Sequence, residues 1–411
     1  MNYSYFCPCP RGMEGPLAEE LNEIARQSTT LKVHNQVPGG VHCSGKLTDA
    51  WRINLHSRIA SRVLLRLAHG GYQNENDIYD MTLAQPWEDW FDVDHTIRVD
   101  LTAIKSPLKS LEFTTLKIKD GVCDRFRDQF GKRPSVNTRT PDMRIAGFLD
   151  QHTFTLYLDT SGEALFKRGW REDTGDAPLR ENLAAGLLRV SGWKPGMVLF
   201  DPMCGSGTIL AEAAQMLAGI PPGARRRFAF EKFHEFDSEA WLAMKGSFKP
   251  NPLPTEPTIF GSDISGDMIV MARNNLQRAG IQFEVPLKQI EAQEVKPPTD
   301  KPGILLTNPP YGERIGVRGD KTIATDDMAQ AFFSAFGTTL KQRFAGWSVF
   351  LFTADLSVPK LLRLKEARKT PFYNGALECR LFRFDMVAGF NRREGALPKE
   401  SLPKHVPPQA Q

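Results

Sequence analysis

The chain has 411 residues, of which 41% are hydrophobic and 24% charged, with a formal net charge of +4. That length points to two or three domains, each able to bury a core without metals or disulfides. The composition excludes a disordered chain, no apolar run approaches the length of a membrane span, and any nucleic-acid surface must be a local patch rather than a property of the whole chain.

The opening MNYSYFCPCPRG lacks the apolar stretch of a signal peptide, so a cytoplasmic location is expected. The six cysteines, at 7, 9, 43, 123, 204 and 379, are then read as free thiols. Cys7 and Cys9 have no matching pair nearby, and no metal site is expected.

Residues 1–170 alternate short strands and helices. Within them, Lys117 to Arg144 holds eight Lys/Arg and four Asp, a surplus of four that equals the surplus of the whole chain. Lys117, Lys119, Arg125, Arg127, Lys132 and Arg133, with Phe126 and Phe130 interleaved, make a candidate phosphate-binding face. A solvated helix with ordinary charge pairs is the competing reading. Arg58, Arg62 and Arg66 have the spacing of one helix face and are expected to extend the patch.

A longer βα series follows. DAPLRENLAAGLLRVSGW predicts a helix with Asp176 at its N-cap, Pro178 in its first turn and Gly192 beyond its end. Leu179, Leu183, Leu187 and Leu188 share one face of it. Strands are expected at Gly196–Asp201, Thr258–Asp263, around Phe283–Ile290, at Gly303–Thr307 and at Trp347–Thr353, with helices over Ser265–Gly280 and Asp326–Phe344. The pair Asn374-Gly375 reads as a tight hairpin turn closing the series. Parallel strands with crossover helices, finished by a hairpin, predict an open α/β sheet covered on both faces. After Asn391 the chain turns polar and proline-rich and is read as a disordered tail.

Three stretches of this series carry chemistry. In LFDPMCGSGTIL, Gly205 and Gly207 allow the backbone close to a ligand, and Thr208 opens a helix whose free N–H groups favour a negative charge. Alone, such a loop is equally well a ligand-free βα turn. In IFGSDIS, Asp263 ends the next strand, where dinucleotide folds place an acid on ribose hydroxyls. The usual interval from the glycine loop is about 20 residues. Here Asp201 and Asp263 are 62 apart, because of an insertion at 219–257 rich in Arg, Phe and Pro. That interval, and the lack of a third glycine, argue against a standard dinucleotide enzyme. In LLTNPPYGER, two prolines directly after a strand hold the Asn308 amide and the Tyr311 ring rigidly at its end.

Together, DPMCGSG, GSDIS and TNPPY resemble class I S-adenosylmethionine-dependent methyltransferases of the amino-group type. The resemblance implies that Asn308 and the Pro309 carbonyl accept the hydrogens of an exocyclic amine, with Pro310 completing the motif and Tyr311 stacking on the target base. It implies that Asp201, Met203 and the Gly205–Gly207 loop face the methionine part of the cofactor. Asp263 would hold the ribose, Ile264 would lie on the adenine, Glu291 is offered as the residue for the adenine amino group, and Asn308 would border the cofactor as well as the base. GGVHCSG, LKIKDGVCDRFRD and TPDMRIAGFLDQHTFTLYLDTSGEALFKRGWR are similar to THUMP-containing RNA methyltransferases, nearest to the bacterial 23S rRNA guanine-N2 methyltransferases.

The fold so implied is α/β, a Rossmann-like class I methyltransferase domain with an N-terminal ferredoxin-like plus THUMP α+β RNA-binding region. Its expected parts are a ferredoxin-like segment at 1–46, THUMP at 47–160, a linker at 161–174, the methyltransferase domain at 175–390 and the tail at 391–411. The implied partner is 23S rRNA or a large-subunit assembly intermediate, with neither membrane nor metal. In some bacteria this unit is fused to a second methyltransferase making 7-methylguanine; this chain is expected to carry only the guanine-N2 activity. A tRNA guanine-N2 methyltransferase and a non-catalytic RNA-binding assembly factor are the alternatives.

Overall fold

In the computed structural model, residues 1–171, 179–309 and 326–387 are described. They form two seven-stranded sheets. The first uses β1 (Tyr3–Pro8), β2 (Lys32–Val37), β3 (Gly40–Gly45), β4 (Leu64–Gly71), β5 (Ile97–Ala103), β6 (Met143–Leu149) and β7 (Thr153–Asp159), in the order β2-β3-β1-β4-β7-β6-β5. Only β5 and β6 run parallel. The pairing of β1 with β4 joins the first three strands to the rest, so residues on both sides of position 46 share one sheet.

Alternation makes these strands. In β6, Met143, Ile145, Gly147 and Leu149 point inward while their neighbours stay half-exposed. The helix Leu111–Phe130 closes over this face with Ile118, Val122 and Phe126. It begins where Ser110 Oγ accepts from the Phe113 N–H at 3.1 Å and ends at Gly131, which is left-handed at φ +68°.

The second sheet uses β8 (Leu199–Asp201), β9 (Ile259–Asp263), β10 (Leu287–Gln289), β11 (Ile304–Thr307), β12 (Ser348–Thr353), β13 (Arg368–Asn374) and β14 (Leu377–Asp385), in the order β10-β9-β8-β11-β12-β14-β13. β8 to β12 are parallel, and β14 and β13 add an antiparallel hairpin. Asn374 is the last residue of β13, so the turn is centred one residue later than expected, on Gly375 at φ +67°. Chain order reverses between β8 and β11, and a sheet of this kind opens its crevice at the carboxyl ends beside such a switch.

Two expectations fail at the junction of the halves. The helix there is Glu181–Val190 with Arg180 at its N-cap, not a helix capped by Asp176. Asp176 and Pro178 lie outside the described residues. Nor do Arg58, Arg62 and Arg66 share a helix: the helix Leu47–His56 stops short of them and Arg66 lies in β4. The cause is Glu20, which is buried. Its carboxylate accepts from Ser57 Oγ at 2.6 Å, the Arg58 N–H at 2.9 Å and the Ile59 N–H at 3.2 Å, and so draws those amides out of the helix ladder.

The 219–257 insertion explains the long interval between Asp201 and Asp263. Its Phe228, Phe230 and Trp241 are buried, and Phe230 stacks on Trp51 of the first half at 5.5 Å between ring centres. Trp241 meets Trp51 edge-on. The insertion is a clamp between the halves, built on aromatic area.

Candidate active site

Asp201, Asp263 and Asn308 stand at the carboxyl ends of three neighbouring strands, β8, β9 and β11. Strands lie about 5 Å apart, so the three polar side chains occupy one patch at the switch point.

Asp201 is 2% exposed. Its Oδ1 accepts from the Met203 N–H at 3.2 Å. Burial, with a smaller contribution from the Asp263 charge, pushes its carboxyl up to about 7. The loop after it is fixed by backbone bonds, from the Cys204 N–H to the Ser262 carbonyl at 2.9 Å and from the Gly207 N–H to the Cys204 carbonyl at 2.8 Å. Gly205 and Gly207 are left-handed at φ +51° and +80°. A Cβ at Gly205 would meet nothing within 4 Å, so the loop borders open space there.

The Asp263 carboxylate ties this loop to the next turn. Oδ2 accepts from the Gly205 N–H at 2.9 Å and Oδ1 from the Ser265 N–H at 3.0 Å. Burial raises its carboxyl, and these bonds oppose the rise. It is not the helix cap: Ser265 Oγ accepts from the Met268 N–H at the start of Gly266–Arg278. Ile264 beside it is 40% exposed, an apolar side chain facing out from a polar rim. Glu291 is exposed, two residues beyond the end of β10. The Asn308 Oδ1 atom is buried and has no hydrogen-bond partner among the described residues. A buried amide oxygen left unpaired costs about 1–3 kcal/mol, which a ligand donor recovers. Pro309 is buried; Pro310 and Tyr311 lie outside the described residues.

A charge network behind the glycine loop was not visible in the sequence. Glu212, on the helix Thr208–Ala218, is fully buried. It pairs at 3.0 Å with Arg58 of the first half and at 3.0 Å with Arg168. Arg171 bonds Thr208 Oγ1, the first side chain of the same helix, and the Leu179 carbonyl. A single acid in the otherwise apolar run TILAEAA was the signal available.

The basic stretch is less free than its count suggests. Arg125 makes a forked pair with Glu88, Arg127 pairs with Asp124, and Lys119 pairs with Asp120 at 2.6 Å. Lys117 reaches Asn76 at 3.2 Å and lies over the Tyr79 and Phe113 rings. Lys132 and Arg133 are exposed just past the helix. Phe126 is fully buried, so of the two interleaved rings only Phe130 is outside. Among the described residues no cluster of His, Cys, Asp or Glu is placed to hold a metal, and all six cysteines are free and buried. No described helix is long and apolar enough to cross a membrane.

A parallel sheet of this order, with acids and an amide at the strand ends beside a glycine loop, defines a Rossmann-like methyltransferase fold joined to an α+β sheet. Residues 168–383 match the RMKL-like methyltransferase domain, residues 72–159 the THUMP domain and residues 4–64 the RlmL ferredoxin-like domain. The chain belongs to the RMKL-like methyltransferase family. It is 40% identical over 382 residues to the ribosomal RNA large subunit methyltransferase K/L of Psychromonas ingrahamii, covering 92% of this chain and 49% of that one. It is 34% identical over 405 residues to the protein of the same name from Shewanella sp. W3-18-1, covering 97% and 55%. The chain thus spans about half the length of the curated relatives it matches. Among solved structures, a possible methylase from Clostridium difficile 630 superposes with a TM-score of 0.81 at 28% identity, over 94% of this chain and 98% of that one. SMU.472 complexed with SAH superposes with a TM-score of 0.78 at 26% identity, over the same shares.

Proposed function

We propose that this protein transfers a methyl group from S-adenosylmethionine to the exocyclic N2 amine of a guanine in 23S rRNA, free or in a large-subunit assembly intermediate. The observation that carries the reading is the buried Asn308 Oδ1 at the switch point, unpaired among the described residues, next to a glycine loop that borders open space. The names of the K/L relatives and the match to THUMP support an rRNA substrate.

The residues fit the cofactor. Asp201 is a buried carboxylate with no cation among the described residues, suited to the methionine ammonium; Met203, Gly205 and Gly207 line the same turn. Asp263 has lone pairs left for ribose hydroxyls, since a carboxylate accepts about four bonds and its two best backbone donors are the Gly205 and Ser265 N–H groups. Ile264 offers an apolar face to the adenine, and Glu291, two residues past the third strand, is the acid offered for its amino group. The bound cofactor supplies a methyl already activated on a sulfonium.

The protein's own work is positioning. A guanine N2 lone pair is delocalised into the ring. Asn308 Oδ1 and the Pro309 carbonyl, as acceptors for its hydrogens, draw it toward tetrahedral geometry, with Tyr311 stacking on the base. These acceptors bind best when the nitrogen turns positive in the transition state. Lys117, Lys119, Arg125, Arg127, Lys132 and Arg133 belong to the RNA-contacting half. The test is mass-spectrometric mapping of 23S rRNA from cells lacking the protein, then remethylation with purified enzyme. Loss and recovery of one N2-methylguanine is expected; an unchanged modification map overturns the reading.

A further inference from the structure

Between the two halves lies a cleft of about 780 Å³ that no part of the proposed chemistry uses. Its walls come from the segment after β7, the start of the helix Glu181–Val190, the insertion and the turn at Asn374. Seven basic side chains and two glutamates line it, a surplus of five on a chain whose net charge is only +4. Arg168 and Arg171 among them are occupied by the buried Glu212 and Glu181.

The remaining arginines are not balanced. Arg180, Arg225, Arg226 and Arg227 form no ion pair among the described residues. Arg225 and Arg226 bond only carbonyl oxygens, of Arg278 and of Glu163 and Ala164, which orient them without cancelling their charge. Arg226 lies over the Phe228 ring and is pushed down to about 10, by burial first and then by the neighbouring Arg168 charge. Arg180 is exposed and sits over the Phe166 ring at 5.0 Å. Like charges held together in a partly dry cleft repel, and an anion relieves that repulsion. Planar guanidinium forks match phosphate oxygens in pairs.

We propose that this arginine cleft holds phosphodiester groups of the substrate RNA between the THUMP-bearing half and the strand ends. The inference rests on the proposed RNA methylation and adds where the backbone runs. The arginines come from two segments about 45 residues apart in sequence, 180 and 225–227, and line a cleft of about 780 Å³, far more than one small anion fills, which suits a chain better than a single free anion. Arg171, in the same wall, bonds Thr208 Oγ1, the first side chain of the helix after the glycine loop, so one wall of the cleft is tied to the element that carries the site.

The test measures binding of a labelled single-stranded rRNA fragment to the full chain by anisotropy, between about 50 and 200 mM salt. Arg180→Ala with Arg227→Ala should lower the slope of log affinity against log salt by about 1.4, about 0.7 per lost phosphate contact. S-adenosylmethionine affinity, read by calorimetry, should not change. The double Arg→Lys variant should keep the slope and still bind less tightly, because it retains the charge without the fork. Lys249→Ala with Lys365→Ala, both exposed and of equal charge change, should leave the slope alone. If the arginine pair drops no further than this control, the cleft is not on the RNA path, and the methylation reading stands. A variant that loses inorganic phosphate binding but keeps the full RNA slope marks a small-anion pocket and overturns the proposal. Wild-type protein that binds no RNA overturns this inference and the proposed function together.

Discussion

The two sheets use their polar residues in opposite ways. In the parallel sheet, Asp201, Asp263 and Asn308 are gathered at one switch point by topology, each at the end of its own strand. In the mostly antiparallel sheet the charged residues are spread over a helix and loops, and their neighbours decide whether they are free. Glu88 and Asp124 neutralise Arg125 and Arg127, which in sequence look as available as Lys132 and Arg133. Residues placed at strand ends by the sequence are brought together by the sheet. A site made by surface charge cannot be read this way until the pairing is known.

The join between the halves is where this contrast is most easily broken. Glu212 sits on the helix that follows the glycine loop, yet both its cations come from outside the parallel sheet. Removing it leaves two buried guanidinium groups uncompensated. Glu212→Ala should therefore destabilise the full chain by about 3–5 kcal/mol, read from the midpoint of denaturant unfolding. A loss below about 1 kcal/mol would show that aromatic packing at Trp51 and Phe230 holds the halves without the charges. A fragment beginning at residue 175 lacks Arg58 and Arg168 and inherits the same unpaired acid.

Next in size is the amide. Asn308→Ala should slow methyl transfer by on the order of 10²–10³, the usual loss for one transition-state acceptor, while calorimetry finds S-adenosylmethionine affinity unchanged. Near-normal turnover would remove Asn308 from the chemistry. Matching losses of turnover and cofactor affinity would instead place it in the cofactor pocket.

How much of this was readable beforehand follows from distance along the chain. Strand, glycine turn and helix start lie within about a dozen residues in LFDPMCGSGTIL, and the local pattern suffices. The same holds for IFGSD and ILLTN, although β8 and β10 are only three residues long and shorter than their apolar runs implied. Arg58 and Glu212 are 154 residues apart, and no local rule pairs them. The spacing of Arg58, Arg62 and Arg66 misled because Glu20, far upstream, captures the amides that would have continued the helix. Arg225 to Arg227 were visible as a basic run, but only the fold sets them opposite Arg180.

Asp201 sharpens the comparison through pH. Its carboxyl is raised to about 7 in the unliganded protein by burial, with a smaller push from the Asp263 charge. Below that value it is protonated and neutral in the fold. Above it, the fold carries an unpaired charge that the unfolded chain, with its ordinary carboxylate, does not mind. Stability contributed by the neutral form is therefore lost as pH rises from about 4 toward 7. Under the proposed function the cofactor ammonium reverses the balance, since it would need the ionised form. S-adenosylmethionine affinity should rise about fivefold between pH 6 and 7, before the cofactor amine itself loses its proton, and Asp201→Asn should flatten that rise while raising the melting temperature relative to wild type at pH 8 and not at pH 5. A pH-independent affinity would mean that Asp201 does not meet the ammonium.

The smallest effect separates paired from unpaired charge in the first half. Arg125 and Arg127 already have carboxylate partners, so using them on RNA means giving up Glu88 and Asp124. Lys132 and Arg133 are exposed, with no ion pair among the described residues, and can meet a phosphate at no such cost. Lys132→Ala with Arg133→Ala should lower the salt slope of RNA binding by up to about 1.4. Arg125→Ala with Arg127→Ala should lower it less and should cost roughly 0.2–1 kcal/mol of stability per pair, as partly exposed pairs do. Anisotropy across a salt series separates the two variants. Equal drops would show that the helix pairs open when RNA arrives; the whole face of Leu111–Phe130 would then be the interface, and the distinction between strand-end chemistry and neighbour-dependent charge would fail for this helix.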